Sequence, residues 1–224
     1  MGAEITFKRP DGGDAKGYLT NAARGDAPGV VVIQEWWGLQ EQIKAIVDRF
    51  ALAGFDALAP DLFKGVVVPY HDSAAAMKEM QSLDFADATS QNVRGAAQYL
   101  GRNGAKVGIA GFCMGGAITV LGAAHVPELA AAVSFYGLPP AEAVKPADMK
   151  IPLQGHFANK DDFVTPSAVD AFEAGLRAAK KDFEFFRYDA GHAFVNEARM
   201  AVHDRHAAEL AWSRATGFLH RRLG

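Results

Sequence analysis

Cys113 is the only cysteine of the chain, and it stands in Gly111-Phe112-Cys113-Met114-Gly115-Gly116. This has the form G-x-C-x-G, a nucleophile elbow with cysteine in place of serine. The pattern has a steric origin. A nucleophile held in a sharp strand-to-helix turn needs small residues two before and two after it, and Gly111 and Gly115 meet that need. A thiol at the start of a helix also feels the helix dipole and free amides, which favour the thiolate. The Met114 amide is then expected to form half of an oxyanion hole. The bland alternative is a small buried thiol beside permissive glycines, since free cysteines are commonly inert core residues.

A thiol nucleophile needs a base, and the base needs an orienting group. His192, in Tyr188-Asp189-Ala190-Gly191-His192-Ala193-Phe194, lies in a turn expected right after a strand. His156 is the rival, but it falls inside or at the end of a strand, where a hydrogen-bonded core histidine is the plainer reading. The acid is expected in Asn159-Lys160-Asp161-Asp162, with Asp161 preferred and Asp162 the alternative. The order cysteine, aspartate, histidine is the chain order of triads in α/β hydrolases. Gln34-Glu35-Trp36-Trp37-Gly38 follows another strand, and the Trp36 amide is the natural second oxyanion donor. Glu35 is the odd member, because a carboxylate beside a thiol disfavours the thiolate.

The elements that must position these groups are legible in the periodicity. An antiparallel hairpin is expected from residues 5–8 and 17–20 around Pro10-Asp11-Gly12-Gly13. Strands are expected at 30–33, 55–59, 106–110, 130–136, 151–157 and 182–188. Helices are expected at 40–53, 73–80, 87–100, 117–124, 167–180 and 202–222. Alternation of strands with helices implies a mostly parallel sheet covered on both faces. In such sheets functional groups collect at the carboxyl ends of the strands. The expected fold class is therefore α/β, with residues 1–224 as one domain and no large cap domain.

Composition sets outer bounds. The chain has 224 residues, a net charge of −3 and 22% charged residues, which is not the basic footprint of a nucleic-acid binder. No apolar run is long enough for a membrane span, and the first residues lack the basic start and apolar core of a secretory signal. A lone cysteine makes no internal disulfide and is a poor basis for a metal site. The expectation is a cytoplasmic protein without metal, nucleic-acid or membrane partner.

The residues resemble the dienelactone hydrolase family over nearly the whole chain, through QEWWG, PDLF (Pro60–Phe63), GFCMGG, SFYG (Ser134–Gly137), KDDFV and AGHAF. The resemblance implies an α/β-hydrolase fold, a cofactor-free monomer, and a triad of Cys113, His192 and Asp161. It also implies that Glu35 holds the resting thiol and is displaced when substrate binds. The type member opens dienelactone to maleylacetate and grips the substrate carboxylate with two arginines. This chain departs from that pattern. Val195-Asn196-Glu197 stands where one arginine is expected, the nearest arginine is Arg199, and residues 65–81 offer only Lys78. Lysine does not reproduce a bidentate clamp. An aromatic, mainly apolar pocket from Trp36, Trp37, Phe63, Tyr70, Phe112 and Tyr136 is expected instead. The leading reading is a small-molecule ester or lactone hydrolase working through a thioester. A true dienelactone hydrolase is the nearest alternative, and a non-catalytic thiol sensor on the same fold is the more distant one.

Overall fold

The computed structural model describes residues 2–224. Short apolar runs form the strands, and those at the centre are the most apolar. Every residue of β3 (Gly29–Ile33) and β5 (Val107–Phe112) is buried, as central parallel strands covered on both faces must be. Around them lie β1 (Ala3–Lys8), β2 (Asp14–Thr20), β4 (Asp56–Pro60), β6 (Leu129–Phe135), β7 (Leu153–Lys160) and β8 (Phe183–Gly191). They make one eight-stranded sheet in the order β1-β2-β4-β3-β5-β6-β7-β8. The β1–β2 hairpin is antiparallel, β2 joins β4 antiparallel, and every other pairing is parallel. This is the mostly parallel, doubly covered sheet that the alternation of elements predicted, in the α/β-hydrolase arrangement that the resemblance implied.

Side-chain alternation along the strands builds two cores. Val30, Val32, Ala110 and Phe112 face one side, where α1 (Glu41–Leu52) and α7 (Arg205–Leu223) pack through Ile43, Val47, Ala211 and Phe218. Val31, Ile33, Val107 and Ile109 face the other side, where α4 (Arg94–Gly101), α5 (Met114–His125) and α6 (Pro166–Ala178) supply Leu100, Ile118 and Leu176. Two further helices, α2 (Ser73–Ser82) and α3 (Phe85–Asp87), precede α4, and α2 buries only Ala76. No helix among the described residues is long and apolar enough to cross a membrane.

Several boundaries differ from the sequence expectation, and those nearest the strand ends matter most. The helix expected at 87–100 begins at Phe85 and passes through a wider π turn, Ala88–Val93, before α4. Strand β5 runs on to Phe112 and α5 starts at Met114, so a single residue separates them. Strands β7 and β8 also run further, to Lys160 and Gly191. Backbone pairing with neighbouring strands extends them into sequences whose Gly, Asn and Asp content reads as turn.

Candidate active site

Those extensions set the site. Cys113, Asp161 and His192 are each the first residue after a strand, β5, β7 and β8, on one edge of the sheet. Cys113 has φ 55° and ψ −117°, a conformation costly for any residue with a Cβ. Its neighbours explain how the turn closes. A Cβ on Gly111 would strike the Gly115 carbonyl, and one on Gly115 would strike the carbonyls of Ile33 and Gln34. Met114 opens α5, so its N–H has no carbonyl one turn back to bond.

His192 Nε2 lies 3.1 Å from Cys113 Sγ, and Nδ1 lies 2.8 Å from Asp161 Oδ2. Asp161 Oδ1 accepts from the Phe163 and Val164 backbone N–H groups at 2.8 and 2.9 Å, so both carboxylate oxygens are engaged. The neighbouring Asp162 is exposed. Burial pushes the His192 imidazole toward its neutral form, but hydrogen bonds and charge from Asp161 and Cys113 outweigh it and raise its pKa to about 10. His156 sits elsewhere. It is fully buried in a stack between Phe135 and Phe186, 2.8 Å from Tyr188 Oη and 2.9 Å from Gln154 Oε1. Burial, aided by Arg214, lowers its pKa to about 3, so it is a neutral core histidine.

Glu35 is buried, and both of its carboxylate oxygens have partners. Tyr136 Oη donates to Oε1 at 3.1 Å and Asn196 Nδ2 donates to Oε2 at 2.7 Å. Asn196 is itself fixed, because its Oδ1 accepts from Ala198 N–H at 3.1 Å. The thiol's hydrogen bond goes to His192. Burial raises the Glu35 pKa, partly offset by Asn196, His192, Tyr136 and Arg199. Asn196 carries no motif of its own. The only signal for it was general, since a carboxylate at the end of an apolar strand must find donors.

A cavity of about 350 Å³ opens above Cys113, with Met114, Trp36, Tyr136 and His192 in its walls. Of the six aromatic residues expected there, only Trp36 and Tyr136 line it. Phe112 is stacked on Phe135 in the core, since the pleat turns it away from the site that Cys113 faces. Phe63 is buried in the opposite core, and Trp37 is buried with Tyr70 packed edge-on against it at 5.4 Å. The missing walls come instead from Met77, Met80, Phe85, Leu138 and Phe163. Arg199 also lines the cavity, with its guanidinium 5.2 Å from the Trp37 ring centre. A cation therefore reaches the pocket from seven residues beyond His192, one turn later than the sequence position where an arginine was sought. Among the described residues no group of three or more His, Cys, Asp or Glu is placed to hold a metal ion.

The dienelactone hydrolase family pattern matches residues 15–223. A curated relative, "Protein usf" of Aquifex pyrophilus, is 34% identical over 97% of both chains. Another, named "Putative carboxymethylenebutenolidase" in Aquifex aeolicus, is also 34% identical over 97% of both. Among solved structures, a "Putative Dienelactone Hydrolase" from Klebsiella pneumoniae superposes with a TM-score of 0.84 at 30% identity, covering 97% of this chain and 98% of that one. Sequence, fold and near-complete coverage agree, and the chain belongs to the dienelactone hydrolase family of α/β-fold hydrolases, enzymes of ester and lactone bonds.

Proposed function

We propose that this hydrolase cleaves carboxylic esters or lactones through Cys113, by way of a thioester acyl-enzyme. The observation that carries the reading is the unbroken chain Sγ–Nε2, Nδ1–Oδ2, with distances of 3.1 and 2.8 Å. His192 takes the thiol proton, and the sulfur attacks the carbonyl carbon. The Met114 and Trp36 amides receive the developing oxyanion. The imidazolium returns its proton to the leaving alcohol as the C–O bond breaks. His192 then takes a proton from water, which attacks the thioester, releases the acid and restores the thiol. Asp161 holds the Nδ1 proton and stabilises the imidazolium, in keeping with the raised His192 pKa, so the proton exchanged with Sγ and the leaving group is the one on Nε2. Cys113→Ala is expected to lose p-nitrophenyl acetate hydrolysis, and an unchanged rate in that variant would overturn the reading.

Arg199 supports a second reading, in which the substrate carries a carboxylate, as dienelactone does. A single guanidinium in an apolar cavity wall would pair with such a group. If so, Arg199→Met lowers kcat/KM for dienelactone much more than for a neutral ester; an equal effect on both removes this reading.

A further inference from the structure

A second chamber, of about 490 Å³, adjoins the cavity above Cys113. The two share the residues Leu138, Pro140, Phe163 and Val164, so they are neighbours across one wall. Their chemistry differs. The first holds the reacting groups and Arg199. No side chain lining the second carries a polar atom, and its far wall is built by Val144, Pro146, Ala168, Ala171 and Phe172. Between them stands Phe163, 70% exposed, with its ring 5.0 Å from His192 and 6.3 Å from Trp36. An exposed phenylalanine beside a hollow lined by apolar side chains is a surface that calls for an apolar occupant.

The first chamber alone is at the small end of ligand pockets, which run from roughly 300 to 1,000 Å³, and the pair together falls well within that range. The near wall of the first chamber is equally accommodating. Met77 and Met80 come from α2, whose one fully buried residue is Ala76, and methionine adapts to irregular apolar shapes. Because the second chamber shares a wall with the cavity of the thiol, and the exposed Phe163 stands on that wall, its occupant is most simply part of the molecule that the thiol attacks.

We propose, building on the Cys113 esterase reading, that the preferred substrates are esters bearing an extended alkyl chain, which passes Phe163 and lies in the Leu138–Phe172 chamber. Ester chemistry at Cys113 is unchanged; the inference concerns what the ester carries. A fully buried methylene is worth about fourfold in kcat/KM and a half-buried one about twofold. Octanoate has six more methylenes than acetate. Half-burial of each predicts a rise on the order of 60-fold.

The test is a kcat/KM series on the full chain with p-nitrophenyl acetate, butyrate and octanoate, below the concentrations at which they form micelles. Octyl acetate, followed by pH-stat, forms the alcohol arm and tells which half of the ester takes the chamber. Ala168→Trp and Ala171→Trp place an indole in the chamber from the exposed face of α6, and either is expected to cut the octanoate-to-acetate ratio below about tenfold. Ala174→Trp, on the same helix but off the chamber, keeps the wild-type ratio. Octanoate and octyl acetate both within threefold of their short counterparts would overturn the proposal. So would a ratio that neither chamber variant moves. A chamber variant that alters self-association but not the ratio would assign the patch to protein contact, and again the proposal fails. Cys113-dependent turnover with a flat chain profile defeats this inference alone, whereas no ester turnover at all defeats the underlying reading with it.

Discussion

Replacing Asp161 by asparagine isolates what its charge and acceptor geometry do for His192. The asparagine has two orientations in the same space. In one, its oxygen keeps the bonds from the Phe163 and Val164 amides at 2.8 and 2.9 Å, and its NH2 faces His192 Nδ1. Two donors then meet, but the imidazole can escape by moving its proton to Nε2. In the other orientation the oxygen serves Nδ1, and the NH2 confronts two backbone amides that cannot shed their protons. Two part-buried amides would then face a donor and lose their acceptor, a larger loss than the tautomer change, so the first orientation wins. Nε2 then carries a proton pointed at Sγ, 3.1 Å away, and cannot accept another. The same trap in a serine-protease triad costs roughly 10⁴ in kcat. A thiol is easier to ionise than a hydroxyl, so the expected loss here is about 10²–10⁴, or ~3–5 kcal/mol of transition-state stabilisation. The assay is kcat/KM on p-nitrophenyl acetate with circular dichroism to verify the fold, and exposed Asp162→Asn as the control within about twofold. A folded Asp161→Asn protein within fivefold of wild type would refute the orienting role.

Other consequences concern the buried charges. Glu35 has its pKa raised by burial, so its contribution to stability is fully present below the unfolded value of 4.5 and is lost as pH rises through the higher folded value. Glu35→Gln removes that loss, so its Tm is expected to exceed that of wild type at pH 8, with the gap closing toward pH 4. A gap that is constant with pH would show that Glu35 is not titrating. The raised His192 value has the same sign: its stabilisation is complete below 6.5 and is lost as pH rises through about 10. Wild type should therefore lose more stability than His192→Ala between pH 6.5 and 10, measured by urea unfolding at each pH; parallel losses would contradict the raised value.

Much of this site could be read from the sequence because its key signals are local. Gly111 answers a steric demand from the Gly115 carbonyl within five residues, although Gly115 itself clears the distant Ile33 and Gln34 carbonyls, and strand-plus-turn grammar places Asp161 and His192 at strand ends although 31 residues separate them. The parallel sheet and its antiparallel hairpin followed from apolar runs and turn residues in the same way. The pocket did not, because its walls come from docking between elements distant in sequence. Aromatic type alone nominated Phe112, Phe63 and Trp37, yet pleat direction and helix cover send them into the cores. Met77 and Met80 enter only because α2 lies over the site, and Asn196 matters only because Glu35 is buried opposite it. A spacing rule fixed the arginine search near residue 196, and the chain reaches the cavity from Arg199 instead.

The central claim is that a covalent bond forms at Cys113. Acid-quenching the enzyme within its first turnovers on p-nitrophenyl acetate, then measuring intact mass and mapping peptides, tests it directly. The account predicts a population heavier by one acetyl group, located on the peptide carrying Cys113, absent in Cys113→Ala and accumulating further in Asp161→Asn if hydrolysis of the thioester slows more than its formation. Steady turnover with no acyl group at Cys113, or an acyl group found on another residue, would contradict it.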